Sequence, residues 1–131
     1  MTDAERIALI EQFFAALEAE DQDTAVSFYA DNVIVWHNAD NREKDKAGSL
    51  AILKAVFGLL KSPRYEVLRR EPINGGVLQT HILHATMPDG RSFAIHAAIV
   101  FECANGKITR LEEFVDAVTF NKQMEQARAA S

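Results

Sequence analysis

The fold is decided by residues 65–115, which read YEVLRREPINGGVLQTHILHATMPDGRSFAIHAAIVFECANGKITRLEEFV. Three turn sequences, Asn74-Gly75-Gly76, Pro88-Asp89-Gly90 and Asn105-Gly106, separate four runs that are rich in β-branched and aromatic residues. Because glycine and asparagine tolerate the positive φ that tight hairpins need, this spacing predicts a four-strand antiparallel meander. The runs are longer than the usual strand of about five or six residues, and long strands curl into a sheet with a concave face.

The residues before the meander have mostly helical periodicity. They predict, in order, a helix with a Thr2–Glu5 capping box that ends near Glu20, a short helix capped by Asp23, a strand over Val33–His37, a polar loop over Asn38–Lys46 and a helix over Gly48–Leu60. Helices followed by long hairpins are typical of the α+β class. We expect one domain over residues 1–131, with three N-terminal helices packed in a curved, mostly antiparallel sheet. The segment Phe120–Ala130 would either dock on this body as a helix or fray.

Composition excludes several kinds of partner and cofactor. A net charge of −5 argues against nucleic acid, which requires a basic face. No apolar run approaches the roughly 18 residues of a membrane span, and the N-terminus lacks a signal-peptide pattern, so we expect no membrane partner and a cytoplasmic location. The single cysteine, Cys103, excludes an internal disulfide and a cysteine metal site. The four histidines do not cluster with carboxylates at metal-ligand spacing, so we expect no metal.

The second and third turns predict which residues share the concave face. A three-residue loop at each turn pairs His81 with Ala97 and Ala97 with Glu113. The two loops also gather apolar residues on that face, namely Leu83, Ala85, Phe93, Ile95, Ala97, Ile99, Phe101, Leu111 and Val115. A one-residue slip in the last hairpin would bring Arg110 and Glu112 into this face, so burial argues against it.

His81, Ala97 and Glu113 would then form one row across three neighbouring strands. At a strand spacing of about 4.8 Å, the backbones of His81 and Glu113 are roughly 10 Å apart, and the small Ala97 leaves a notch between them. An acid and a histidine beside a notch in an apolar cavity form a candidate general acid/base site, in which the apolar walls raise the pKa of the carboxyl. Glu113 is the candidate acid/base, with His81 as its partner or as an oxyanion donor.

Alternatives to this site stay open at the level of sequence. Glu113 could reach the open rim of the sheet, and His81 could be a core histidine bonded to a helix residue. A two-residue loop at the second turn would bring His84 inward and turn His81 outward. With the three-residue loop, His84 and His96 lie on the outer face.

The first strand poses a second choice, because Trp36 and Asn38 alternate with His37 and only one set can face the cavity. Trp36 inward would provide a large apolar wall and would place Asn38 near the mouth, where its amide could orient a water or a carbonyl. The rest of the expected lining is apolar or aromatic and consists of Phe14, Leu17, Phe28, Phe57, Leu60, Tyr65, Leu83, Ile95, Ala97, Leu111 and Val115.

Four segments have a familiar pattern: Phe28-Tyr29-Ala30-Asp31-Asn32-Val33 at the entry into the first strand, and Gly90–Phe93, Gly106–Arg110 and Phe114–Asp116 in the closing strands. They resemble the corresponding segments of the nuclear-transport-factor-2-like superfamily, and most closely its SnoaL-like and limonene-epoxide-hydrolase branches. The resemblance covers about residues 5–120. It implies a cone-shaped roll of helices wrapped by a curved sheet, usually dimeric through the outer face of the sheet.

The resemblance transfers only part of the epoxide hydrolase site. The acid at the position matching Glu113 belongs there to an Asp–Arg–Asp group, but the positions that match the other two members carry His81 and Leu83 here. That group is broken, so we do not expect epoxide hydrolysis by that mechanism. Trp36 and Asn38 look similar to the tyrosine and asparagine that hold the water.

Two other branches imply where a base would lie. In SnoaL-like cyclases the single acid/base is in the last strand, near Glu113, whereas in ketosteroid isomerase the base falls near His37, where this chain has no acid. We therefore expect a small-molecule enzyme with an apolar pocket that performs isomerisation, cyclisation, hydration or hydrolysis on a small apolar or amphipathic molecule without a cofactor. The competing hypothesis is a non-catalytic ligand-binding or dimerisation module of the same fold.

The outer face of the sheet is predicted to form a homodimer. His96, Val100, Ile108 and Phe114 share that face in the predicted register, and they are too apolar for contact with solvent alone. If His96 lies in the interface, protonation of a histidine near pH 6 would loosen the dimer.

Overall fold

Four helices and six strands make up the chain, and the computed structural model describes all 131 residues. In order they are α1 (Asp3–Glu18), α2 (Gln22–Ser27), β1 (Tyr29–His37), β2 (Arg42–Lys44), α3 (Lys46–Leu59), β3 (Lys61–Ile73), β4 (Gly76–Thr86), β5 (Ser92–Ala104), β6 (Lys107–Val115) and α4 (Ala117–Ala129). The predicted α+β class is confirmed, with helices before long hairpins. No periodicity marks β2, because its three residues lie inside a uniformly polar segment.

Each helix begins next to a side chain that accepts a hydrogen bond from its first turn. Thr2 and Glu5 form the predicted capping box at α1. Asp21, and not Asp23, caps α2, and the other two helices also begin at aspartates. An aspartate at this position places negative charge at the positive end of the helix dipole, which stabilises the first turn further.

The strands form one sheet in the order β2-β1-β6-β5-β4-β3. All neighbours are antiparallel except β1 and β6, which run parallel. The curved sheet and the helices on its concave side bury a common apolar core, as a cone-shaped roll requires. Helix α4 docks on this body and does not fray, since its Met124 and Ala127 are buried. None of the helices has the length and the apolar character needed to cross a membrane.

The β4–β5 hairpin has the predicted three-residue loop. A backbone hydrogen bond of 2.8 Å from the Met87 N–H to the Arg91 carbonyl closes it. His81 therefore pairs with Ala97, and both side chains lie on the concave side, where they are buried. His84 lies on the outer face, beside an acidic side chain of β3. The alternative in which the two histidines exchange faces is thereby excluded.

The β5–β6 hairpin differs from the prediction. Its loop holds only two residues, Asn105 and Gly106, and both have the positive φ that a type I′ turn requires. A two-residue loop alone would bring Arg110 and Glu112 into the concave face. A β-bulge at Thr109 adds one residue to β6 and returns the apolar residues beyond it to the core.

Turn and bulge together shift β6 by two residues from the predicted pairing. Glu113 pairs with Ile99, and Val115 takes the predicted place of Glu113 opposite Ala97. A shift of two keeps each of these side chains on its predicted face, so Glu113 still points to the concave side. The predicted row of His81, Ala97 and Glu113 is nevertheless wrong, because Glu113 lies one row away from the other two.

The bulge also changes the composition of the outer face. Ile108 precedes the bulge and is fully buried, so the prediction that it lies on the outer face is wrong. His96 is exposed there, Val100 is half-buried, and Phe114 is 43% exposed. The face still carries an apolar patch, but one centred on the end of β6.

Candidate active site

A cavity of about 290 Å³ lies between the concave face of the sheet and helices α1, α3 and α4. Of the 26 residues that line it, 19 are hydrophobic, so its walls shield the few polar groups from bulk water. The lining includes ten residues predicted for the pocket, namely Phe14, Leu17, His37, Phe57, Tyr65, Leu83, Ile95, Ala97, Leu111 and Val115. Phe28 and Leu60, which were also expected, pack with the core and do not line the cavity.

Glu113 and His37 lie side by side at the polar part of this cavity. They are partners in the parallel β1–β6 pair, and both line the cavity. His37 Nε2 is 3.8 Å from Glu113 Oε1, which is longer than a hydrogen bond. Because no protein donor reaches the carboxylate within hydrogen-bond distance, its oxygens are available to a ligand.

Lys44, the last residue of β2, contacts His37 and is itself bound by Asp40 in the turn before β2. Lys44 Nζ is 3.2 Å from His37 Nδ1 and donates a 2.6 Å hydrogen bond to Asp40 Oδ1. Since an ammonium group can only donate, Nδ1 must accept and the ring proton sits on Nε2, the nitrogen that faces Glu113. Burial and then Lys44 lower the pKa of His37 to about 4, against the opposing effect of Asp40. His37 is therefore a neutral N–H donor at physiological pH.

The Glu113 carboxyl titrates close to neutrality. Burial raises its pKa to about 7, and the positive charge of Lys44 opposes that rise. The side chain is 29% accessible, and since it lines the cavity, a ligand in the cavity can contact it. A carboxyl with this pKa can both take and return a proton at physiological pH, which is what a general acid/base requires.

His81 lines the cavity from β4, whereas the histidine that lies within 4 Å of Glu113 is His37. Its Nδ1 is 2.8 Å from Gln79 Nε2, and Gln79 Oε1 accepts a 2.6 Å hydrogen bond from Arg70 Nε. All fully enclosed side-chain nitrogens and oxygens have partners, so the unpartnered Nε2 of His81 opens onto the cavity. Burial and then Arg70 lower the pKa of His81 to about 4.

Two tyrosines complete the polar part of the cavity. The Tyr29 hydroxyl accepts a 3.4 Å hydrogen bond from Ser49 Oγ, and burial raises its pKa. Burial, and then the nearby Glu113, raise the pKa of Tyr65 well above its ordinary value, so both phenols stay protonated. The Tyr65 hydroxyl has no protein partner and opens onto the cavity, which makes it a second neutral donor beside His37.

Trp36 and Asn38 are not in the cavity. Trp36 lies on the outer face, where its Nε1 donates a 3.0 Å hydrogen bond to Asn41 and its ring packs edge-on against Phe114. The Asn38 amide is bonded to the backbone of Val115, donating to the carbonyl and accepting from the N–H, both at 2.9 Å. The predictions that Trp36 walls the pocket and that Asn38 orients a ligand are therefore wrong. Asn38 instead continues the parallel ladder beyond the end of β1.

Sequence reasoning misses two groups of functional side chains. Lys44 and Asp40 lie in the segment that was predicted as a polar loop, where nothing in the sequence indicates that Lys44 reaches a histidine. Helix α4 contributes Phe120, Asn121, Met124 and Arg128 to the cavity wall, and the apolar spacing of this segment was the available signal. No group of three His, Cys, Asp or Glu side chains in the structure is arranged to hold a metal ion.

Helices enclosed by a strongly curved, mostly antiparallel sheet, with a cavity between them, define the nuclear-transport-factor-2-like fold. Within that fold the chain belongs to the SnoaL-like domain family, whose profile matches residues 10–111. No curated protein matches the sequence significantly.

Solved structures of low sequence identity share the fold. A protein of Shewanella putrefaciens CN-32 classed as a SnoaL-like polyketide cyclase is 18% identical, with 91% of this chain and 95% of that chain covered and a TM-score of 0.76. TerC, crystallised with polyporic acid, is 20% identical, with coverage of 92% and 98% and a TM-score of 0.80. An LEH-like epoxide hydrolase of M. tuberculosis is 20% identical, with coverage of 97% and 94% and a TM-score of 0.77. At these identities the likeness shows the fold alone.

Proposed function

We propose that the protein is a cofactor-free enzyme that moves protons on a small apolar or amphipathic carbonyl compound, as an isomerase, cyclase or hydratase. Glu113 is its acid/base. The observation that carries this proposal is the position of the Glu113 carboxyl, which lines an apolar cavity without a protein hydrogen bond and beside the neutral N–H of His37. Burying a carboxyl without a partner costs free energy, so its presence there calls for a functional reason.

The chemistry follows from the donors around the carboxylate. Ionised Glu113 removes a proton from a carbon next to the ligand carbonyl, and the C–H electron pair moves to the carbonyl oxygen as an enolate. Neutral N–H and O–H donors in a water-poor cavity stabilise the charge that develops on that oxygen. Protonated Glu113 then returns the proton to another carbon in an isomerisation. In an aldol-type cyclisation, the enolate carbon instead attacks a second carbonyl, whose oxygen takes the proton.

Isomerisation of 3-cyclohexen-1-one to its conjugated isomer tests this proposal, because the product absorbs in the ultraviolet and the reaction needs only proton transfer. We expect the wild-type protein to accelerate it and Glu113→Gln to reduce kcat at least 100-fold. Glu112→Gln is the matched control, since Glu112 is the next residue along β6 and faces outward beside Arg110. Equal rates in all three proteins, at the uncatalysed level, would reject the proposal for this class of ketone.

A ligand carrier of the same fold would give a different pattern. An apolar fluorescent probe would bind the cavity, Glu113→Gln would bind it as well as wild type, and no ketone would exchange protons faster than in buffer. That combination would favour the non-catalytic alternative.

We also propose that the protein is a homodimer through the outer face of the sheet. Leu68, Ala98 and Phe114 surround a shallow depression there, and Leu68 and Phe114 are 51% and 43% exposed. Trp36 packs against Phe114 and extends the apolar area onto β1. Exposed apolar side chains grouped on one face are typical of an interaction surface.

A further inference from the structure

We infer that Arg70 and Gln79 form a fixed relay that holds His81 as a neutral Nε2–H donor, and that an uncharged carbonyl oxygen of the ligand binds at this N–H. The inference rests on the proposed function, because the ligand in question is the one on which Glu113 acts. It adds a positioning role for Arg70 and Gln79, neither of which lines the cavity.

The direction of every hydrogen bond in the relay follows from its first member. A guanidinium group can only donate, so the atom of Gln79 that faces Arg70 Nε must be the amide oxygen. The amide NH₂ of Gln79 then faces His81, and it can only donate. His81 Nδ1 must therefore be the unprotonated nitrogen, which places the ring proton on Nε2, the nitrogen that opens onto the cavity.

Burial and side-chain contacts hold all three members of the relay, so this arrangement is fixed before a ligand binds. Gln79 is fully buried, with 0% exposure. Arg70 lies 5.9 Å above the centre of the Phe14 ring, and its NH1 is 3.8 Å from Glu11 of α1. The His81 ring packs edge-on against Phe14 and Tyr65, with ring centres 5.4 and 4.9 Å away. A flip of the imidazole would turn a carbon toward the Gln79 amide and would lose the 2.8 Å hydrogen bond.

The position of His81 specifies the kind of ligand atom that it meets. His81 and Ala97 are direct partners, and Glu113 lies on the next strand beyond Ala97, one row away. The backbones of His81 and Glu113 are thus separated by two strand spacings across the sheet and by one two-residue step along the strands, roughly 12 Å in all, and the small Ala97 leaves space between them. A ligand of the size of one or two rings can therefore place its oxygen at His81 while a carbon approaches Glu113. A neutral donor that shares a cavity with a carboxylate favours an uncharged oxygen over a second anion.

Histidine ring NMR of the full-length protein tests the tautomer directly. In wild-type protein we expect His81 to show the Nε2–H tautomer and no titration between pH 5.5 and 8. In Gln79→Glu, Arg70 still binds one carboxylate oxygen, but the other oxygen can only accept, so Nδ1 must carry a proton. We expect His81 in that variant to change tautomer or to titrate at least one pH unit higher. An Nδ1–H tautomer in wild type, or an unchanged His81 signal in Gln79→Glu, would overturn the inference.

Ligand preference gives the second readout, with 2-tetralone and its hydrocarbon analogue tetralin as the probes. At a pH where His81 is neutral in both proteins, wild-type protein should bind the ketone at least 10-fold more tightly than the hydrocarbon, and Gln79→Glu should lose that preference while it still binds tetralin. If Gln79→Glu does not fold, Arg70→Met replaces it, because it frees the Gln79 amide to flip and weakens the preference in the same direction. A ketone preference that survives in the folded variant would overturn the inference. The proposed function is tested independently, by the rate at which wild-type protein and Glu113→Gln isomerise 3-cyclohexen-1-one.

Discussion

His37 and Glu113 are partners in the only parallel strand pair of the sheet, and their side chains approach to 3.8 Å between Nε2 and Oε1. The pair joins a histidine that stays neutral to a carboxyl that titrates close to physiological pH. Lys44 acts on both members, because its charge lowers the pKa of His37 and of Glu113. Ionisation of Glu113 therefore governs both the chemistry proposed for the cavity and part of the protein's stability.

The rate of proton transfer should depend on pH through Glu113. The carboxylate is the base, and burial raises its pKa to about 7, so kcat/KM should rise with pH and level off above an inflection near pH 7. Initial rates of 3-cyclohexen-1-one isomerisation from pH 5 to 9 measure this profile. A profile that is flat over this range would be inconsistent with Glu113 as the base.

Lys44→Met should shift the inflection of this pH profile to a higher pH. Lys44 lowers the pKa of Glu113, so its removal leaves burial unopposed and shifts the inflection to higher pH. It also removes the donor at His37 Nδ1, while Asp40, which raises the pKa of His37, remains. Ring NMR should then detect His37 titrating at a higher pH than in wild type. Lys46→Met is a suitable control, because Lys46 contacts Tyr29 and Asp31 and not His37.

Glu113→Gln should change the pH dependence of stability with a defined sign. The folded pKa of about 7 is above the ordinary value of 4.5, so between these pH values the native state binds more protons than the unfolded state. The wild-type free energy of unfolding therefore contains a contribution that is lost as pH rises through this window. The variant lacks it and should gain about 2–3 kcal/mol relative to wild type between pH 5 and 8. Urea unfolding at both pH values measures the gain, and a parallel pH response of the two proteins would contradict it.

Asn38→Ala should destabilise the protein and leave the cavity chemistry largely intact. Its amide makes two hydrogen bonds to the Val115 backbone, and their loss leaves a half-buried N–H and carbonyl unpaired, at a cost of about 1–3 kcal/mol. Asn32→Ala, at an exposed position of β1 whose side chain makes no hydrogen bond, should cost less. If Asn38→Ala lost turnover at unchanged stability, Asn38 would have the ligand-orienting role that the structure argues against.

Phe114→Glu should abolish the proposed dimer. A carboxylate at the centre of the apolar patch would lose its hydration on association, and two copies would meet across the symmetric interface. Sedimentation velocity at about 50 µM should give a dimer for wild type and a monomer for the variant. Val118→Glu on α4 is the control, because Val118 is 79% exposed and lies outside this patch. A wild-type monomer would reject the dimer.

The fold could be predicted, and so could the face on which most strand residues lie, because the burial of apolar residues decides which alternate set of side chains points inward. Along β6 a shift by one residue would bury Glu112 and expose Leu111, and the apolar pattern rejects that shift. A shift by two leaves the same residues buried, so the pattern could not decide between Ile99, which is the actual partner of Glu113, and Ala97. Only the turn and its bulge fix that choice, and the alternation of apolar residues carries no sign of the bulge.

The partner of Glu113 was beyond prediction for a different reason. His37 reaches it through a parallel pairing between strands that no hairpin connects, so no turn in the sequence specifies the register. The alternation of β1 does not help, because apolar side chains stand at Ile34 as well as at Val33 and Val35. His37 faces inward because the neighbouring Trp36 contacts Phe114 and Asn41 on the outer face, and those contacts exist only in the folded sheet.

The single extra residue at Thr109 determines which residues of β6 face the cavity and which face the outer side of the sheet. A one-codon deletion at Thr109 would remove only the bulge, because Arg110 would then follow Ile108 and still lie opposite Glu102, and Glu113 would stay opposite Ile99. A one-codon insertion beside the bulge has no such compensation, and it would turn Phe114 into the cavity and Glu113 toward the outer face. Such an insertion would remove the proposed base and spoil the proposed association surface in one step, although no residue of either would have been substituted. The hairpin can therefore lose one residue at this point without moving the acid, but it cannot gain one.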